Sequence, residues 1–180
     1  YNHRKQLGVA IQTMNLLKHK KNIHLYVLGG GYDADVTRYK DMVAKLELEN
    51  NVHLVGKVPN VKAKEMMASA DLFFFTSIDD ATSTVVPEAI SAGLPIVCHD
   101  TRGFGVIVDD KIGLKVGVKN PEYSVREFAK IIDDLEAHRD VVRKLSTGCI
   151  ERQNQISWEA NAKKMVEQYE LAIERFESKQ

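Results

Sequence analysis

From Thr76 to Ala89 the chain reads Thr76-Ser77-Ile78-Asp79-Asp80-Ala81-Thr82-Ser83-Thr84-Val85-Val86-Pro87-Glu88-Ala89. Two neighbouring carboxylates are followed by small hydroxyl residues, then by the start of a helix that carries a third carboxylate. A helix start offers unpaired amides and a positive dipole end, which suits a diphosphate. Ser83 and Thr84 are small enough to let a ligand reach those amides. Glu88 lies about one turn further in, where its carboxylate can accept hydrogen bonds from ribose hydroxyls. A plainer account makes Thr82 or Ser83 an N-cap and Glu88 a solvated helix residue. The residues by themselves leave both open.

Gly29, Gly30 and Gly31 follow an apolar run and precede a helical pattern. Their backbone could approach a phosphate closely, with Gly30 at the centre. The spacing is neither G-x-G-x-x-G nor a G-K-[ST] loop, so a tight turn explains it equally well. Cys98-His99-Asp100 looks like a catalytic or metal cluster until its setting is considered. Neighbours on a strand point to alternate faces, so the three side chains do not converge. Six histidines show no zinc spacing, and Cys98 and Cys149 form no C-x-x-C pair. The two cysteines read as ordinary thiols of a reduced, intracellular protein.

The hydrophobic pattern alternates between helix-like and strand-like stretches. Short apolar runs predict strands over 23–28, 52–55, 71–76, 94–98 and 113–116. Helical periodicity fills the intervals, including 62–70 and 84–92. Gly103 and Gly105 predict a broken loop, and from 123 to 176 the pattern is helical. This order predicts an α/β fold, a Rossmann-like parallel sheet with helices on both faces. Ligands of such sheets bind beyond the carboxyl ends of the strands. The chain has 25 basic and 25 acidic residues and is 44% hydrophobic, which argues against disorder and against a broadly basic nucleic-acid binder. No apolar run approaches the roughly 20 residues that span a bilayer. The chain begins at Tyr1 and turns helical almost at once, so it reads as a piece of something longer, one domain over 1–180.

The stretch Asp80 to Glu88, running into Ala89-Ile90-Ser91-Ala92-Gly93-Leu94-Pro95-Ile96-Val97, resembles the signature of the retaining glycosyltransferases of family 4. Their pattern is Glu-x7-Glu entering Glu-Ala-x-x-x-Gly-x-Pro-Val-Val. The likeness continues in Asn22–Gly31, in Asn51-Val52-His53-Leu54-Val55-Gly56-Lys57-Val58-Pro59 and in Ala68–Phe75. Gly113-Leu114 and Ser157-Trp158-Glu159 match the family's later landmarks. It covers nearly the whole chain, but only the family's C-terminal, nucleotide-sugar-binding half of the two-domain B-type fold.

The resemblance implies that Glu88 holds the donor ribose and that Asp80 stands where a glutamate contacts the transferred sugar. It implies that Ser83, Thr84 and Val85 serve the diphosphate, and that Lys57 and Val58 border the base. Lys5 would neutralise the leaving diphosphate. The implied donor is a UDP- or GDP-sugar, without a metal or other cofactor. The implied acceptor is a glycan or a lipid-linked molecule, bound by an N-terminal domain absent from this chain. The implied location is cytoplasmic, with peripheral attachment to the inner face of a membrane through that absent domain.

The pattern also departs from the family. Asp80 is one methylene shorter than glutamate, with Asp79 beside it as a rival. The arginine expected before Lys5 lies ahead of the chain. Arg102-Gly103-Phe104-Gly105-Val106 replaces the usual Gly-Gly-x-Pro-Glu. The alternatives are a degenerate binding module, a nucleotide-sugar epimerase and a dinucleotide oxidoreductase. The C-terminal pattern Trp158, Met165, Val166, Tyr169, Ile173 is expected to pack rather than to lie on a membrane surface.

Overall fold

The structure is a computed structural model and describes residues 3–80 and 84–178. A 3-10 turn (His3–Lys5) leads into α1 (Leu7–Leu16) and β1 (Leu25–Leu28). There follow α2 (Asp33–Lys45), β2 (Val52–Gly56), α3 (Asn60–Ala68), β3 (Phe73–Phe75) and α4 (Val85–Ser91). Then come β4 (Ile96–Asp100), α5 (Arg102–Ile107) and β5 (Gly113–Gly117), and finally α6 (Pro121–Ala137), α7 (Arg139–Gln153) and α8 (Trp158–Glu177). Each pairing is parallel: β1 with β2, β3 with β4, and β4 with β5. The predicted parallel α/β fold is therefore present.

Among the described residues the five strands form two sheets, β1-β2 and β3-β4-β5, rather than one hydrogen-bonded sheet. Phe74 of β3 packs both against the α1–α2–β2 core and against the core beneath β4 and β5. Ile96, Val97 and Cys98 of β4 are wholly buried. Ile96 and Cys98 face α4, α5 and α7, through Val86, Ile90, Phe104 and Cys149. Val97 faces the other way, towards Val9 of α1 and Phe128 of α6. This alternation explains the unbroken apolar run at 94–98, which belongs to a strand covered on both faces.

The loop predicted around Gly103 and Gly105 is instead α5. Each glycine costs a helix about 1 kcal/mol. Against that, Phe104 is 1% exposed and meets Phe75 edge to face at 5.2 Å. Burying an aromatic side chain of that kind contributes roughly 1.5–3 kcal/mol, and the edge-to-face pair about 0.5–1.5 kcal/mol more, which together offset the cost of the two glycines. α6 starts where Asn120 accepts a hydrogen bond from the Tyr123 amide, with Pro121 in the first turn.

The expected packing of α8 is not found. Ser157 caps the helix by accepting from the Ala160 amide, but none of its residues is buried. Trp158 is 88% exposed, and Met165, Val166, Tyr169 and Ile173 are all exposed. The apolar periodicity was legible, but the described residues include nothing that covers it.

α7 runs close beneath the turn before β5. A Cβ added to Gly148 would sit 2.0 Å from the Lys111 carbonyl oxygen. Gly148→Ala should therefore lower stability by roughly 1–3 kcal/mol, the usual cost of overpacking. Chemical denaturation should show a lower midpoint with an unchanged slope; an unchanged midpoint would mean that α7 stands further off.

Candidate functional site at the carboxyl ends of the strands

The residues with the chemistry sit where each strand ends. After β3 the chain leaves the sheet and passes the N-terminal turn. The Ile78 amide donates to the Arg4 carbonyl at 3.0 Å. The Thr76 hydroxyl donates to the Lys5 carbonyl at 2.8 Å, and the Ser77 hydroxyl to that of Arg4 at 3.3 Å. These bonds lay residues 4–5 along residues 76–78.

The side chains follow the same alignment. The Lys5 ammonium pairs with the Asp80 carboxylate. Arg4 stands 4.0 Å from Asp79. Of the two neighbouring aspartates, Asp80 faces the lysine and Asp79 the arginine. Lys5 Nζ also lies 5.4 Å from the centroid of the Phe75 ring, a cation–π distance. The Lys5 side chain is 49% exposed and that of Asp80 22%, so solvent reaches the pair. An ion pair this open contributes little to stability, about 0–1 kcal/mol.

α4 begins directly after this loop. Thr84 occupies its N-cap position with helical dihedrals, and its side chain makes no capping bond. Val85 is the first helical residue, and Glu88 falls in the first turn. Glu88 is half-buried. Among the described residues its carboxylate has no hydrogen-bond or ion-pair partner. The helix has only seven residues, so its dipole is shorter than the predicted 84–92 span implied. Ser83, also predicted for the diphosphate, lies outside the described residues.

A second group forms at the ends of β1 and β2. The Gly29 amide donates to the Gly56 carbonyl at 2.8 Å, with Gly29 in the left-handed region at φ 116°. Gly30 follows, exposed, with the stem of Lys57 lying over it. A Cβ at Gly30 would be 2.9 Å from Lys57 Cε. The glycine loop and the predicted base-contacting lysine therefore meet. Val58 follows, half-buried.

Cys98-His99-Asp100 does not form a reactive cluster. Both cysteines are free and buried. Burial pushes the Cys98 thiol up to about 12 and the Cys149 thiol to about 11, so neither is a nucleophile at neutral pH. Asp100 pairs instead with Lys115 at 3.1 Å. Among the described residues no three His, Cys, Asp or Glu side chains are grouped as a metal centre. Among the same residues no helix is long and apolar enough to cross a membrane. Sequence reasoning missed Arg4 and the tie between 4–5 and 76–78. The available signal was the doubling of charge, Arg4-Lys5 against Asp79-Asp80.

A basic–acidic pair and a carboxylate unpartnered among the described residues thus lie beyond the strand ends of a parallel α/β layer, the place where ligands of such sheets bind. The family model for glycosyl transferases group 1 matches residues 1–152, and the chain belongs to that family. A glycosyltransferase of Methanocaldococcus jannaschii is 25% identical over 174 residues, covering 96% of this chain and 43% of its own length. The amylovoran biosynthesis glycosyltransferase AmsK of Erwinia amylovora is 30% identical over 146 residues, covering 77% of this chain and 35% of its own. The chain thus spans less than half the length of these relatives. Among solved structures, Anabaena HepE in complex with UDP superposes with a TM-score of 0.75 at 19% identity, covering 86% of this chain and 42% of its own.

Proposed function

We propose that this chain is the donor-binding part of a retaining glycosyltransferase that uses a UDP- or GDP-sugar. The observation that carries the reading is the Lys5–Asp80 pair, held at the end of β3 immediately before the α4 turn that bears Glu88. HepE, which shares the fold, binds UDP. In this reading Glu88 accepts hydrogen bonds from the ribose hydroxyls. Thr84 and Val85, with Ser83, border the diphosphate, and Gly30, Lys57 and Val58 border the base.

The chemistry follows from the charges. As the bond between sugar and diphosphate breaks, negative charge grows on the diphosphate and positive charge on the sugar. Lys5 stabilises the first, and groups placed before the reaction need no reorganisation as it proceeds. Asp80 faces the second. The sugar passes with retention to a glycan or lipid-linked acceptor, which the longer enzyme binds through an N-terminal domain. No metal enters this reading, because Lys5 supplies the positive charge.

A non-catalytic binding module is the second reading. It is favoured by the observation that Asp80, shorter than the family's glutamate, is already engaged by Lys5. The primary test is calorimetry of the 180-residue chain with UDP, GDP and NAD. Saturable binding of one nucleoside diphosphate and none of NAD is the expected result. Preference for NAD would overturn the reading.

A further inference from the structure

We infer that His99 is a positioning residue for Lys5, acting through Thr76. β3 ends its pairing with β4 at Phe75, opposite Cys98. β4 runs on for two residues, His99 and Asp100, still paired with β5. The Thr76 carbonyl therefore lies just past the end of the β3–β4 ladder. The His99 side chain meets it there: Nδ1 is 3.1 Å from the Thr76 carbonyl oxygen. A carbonyl only accepts, so Nδ1 carries the proton. Nε2 then accepts from the Ser124 hydroxyl of α6 at 2.9 Å. His99 is 1% exposed, Ser77 1%, Ser124 4% and Thr76 6%, so the relay is shut off from solvent. The imidazole is further fixed by the edge-to-face contact with Phe128 at 4.8 Å.

The consequence reaches the site. With its carbonyl satisfied by a side chain instead of a neighbouring strand, Thr76 is free to turn away from the sheet. Its hydroxyl then bonds the Lys5 carbonyl at 2.8 Å. Three hydrogen bonds, joined through Thr76 itself, thus link Ser124 of α6 and His99 to the backbone carbonyl of Lys5. An apolar side chain at position 99 would fill the space but leave the Thr76 carbonyl and the Ser124 hydroxyl buried without a partner. The effect on nucleotide binding rests on the donor reading above; the placement of Lys5 does not.

Two measurements on the 180-residue chain separate these parts. Hydrogen exchange reports placement without any ligand, because the Ile78 amide bonds the Arg4 carbonyl in the same tie. In His99→Phe the Ile78 amide should exchange at least about tenfold faster, while β4 and β5 amides stay protected. His99→Gln, whose amide both donates and accepts, should restore the slow rate. Should His99→Phe fail to fold, Ser124→Ala serves instead and should give a smaller acceleration of the same amide. Unchanged exchange at Ile78 in a folded variant overturns the inference, whatever UDP does.

The second measurement is calorimetry with UDP. His99→Phe should weaken binding about three- to tenfold, and His99→Gln should not. In a Lys5→Gln background the same substitution should cost nothing further, because its effect passes through the lysine. Independent, additive losses would show a merely structural role and overturn the inference. If the unsubstituted chain binds neither UDP nor GDP, the donor reading fails, and exchange alone decides the placement.

Discussion

Glu88→Gln should weaken UDP or GDP binding by about ten- to a hundredfold and leave the fold intact. A carboxylate that accepts hydrogen bonds from hydroxyls contributes roughly 1.5–3 kcal/mol, and the isosteric amide loses the charge that strengthens them. The structure sharpens this expectation. Among the described residues Glu88 has no partner of its own, so the substitution breaks no hydrogen bond or ion pair among them. The helix loses one acidic group from its first turn, worth about 0.3–1 kcal/mol of stability. Affinity and stability should therefore separate clearly. Equal affinity for both diphosphates in the folded variant would remove Glu88 from the ribose site.

How much of this was legible in the sequence depends on whether the determinants were local. β4 announced itself through Ile96, Val97 and Cys98, because a strand covered on both faces favours apolar side chains at successive positions. The helical run from 123 was legible too, although α6 starts two residues earlier, at Pro121. α5 was not: Gly103 and Gly105 argue against a helix locally, and what overrides them is Phe104 packing on Phe75 of another strand. The separation into two sheets was equally hidden, since hydrophobic period says nothing about which strands pair. At the site, Asp80 and Glu88 were readable because they share one short segment. The pairing of Asp80 with Lys5 was not. Lys5 and Asp80 are brought together by backbone hydrogen bonds between 4–5 and 76–78, and no local pattern encodes a tie across that separation. His99 carried the wrong suggestion, since Cys98-His99-Asp100 looks chemical, while its actual partners are Thr76 and Ser124.

Lys5 and Asp80 should have opposite effects on binding and like effects on transfer. In the longer enzyme of the proposed reading, Lys5→Ala should lower turnover by about a hundred- to a thousandfold, the usual loss when one preorganised group that stabilises developing charge is removed. It should also weaken binding of the nucleoside diphosphate. Asp80→Asn frees the ammonium from its counter-ion, so the diphosphate no longer competes with a carboxylate for it. The pair is exposed enough to be worth at most about 1 kcal/mol, so affinity should rise by up to about fivefold, and less at high salt. Turnover should nevertheless fall, because a carboxylate facing the sugar acts chiefly as positive charge grows there. Asp79→Ala, which leaves the Lys5–Asp80 pair in place, should change neither property much. A drop in affinity on Asp80→Asn would mean that the carboxylate helps the lysine to hold the diphosphate rather than competing for it. If Lys5→Ala and Asp80→Asn both leave transfer untouched in an active enzyme, the pair is structural and the catalytic assignment fails. Asp80→Glu then tells the two readings of the chain apart: restored length should raise transfer if the site had drifted towards a binding module. In a pocket built around aspartate the extra methylene should lower transfer instead, because the longer side chain crowds Lys5 and the sugar.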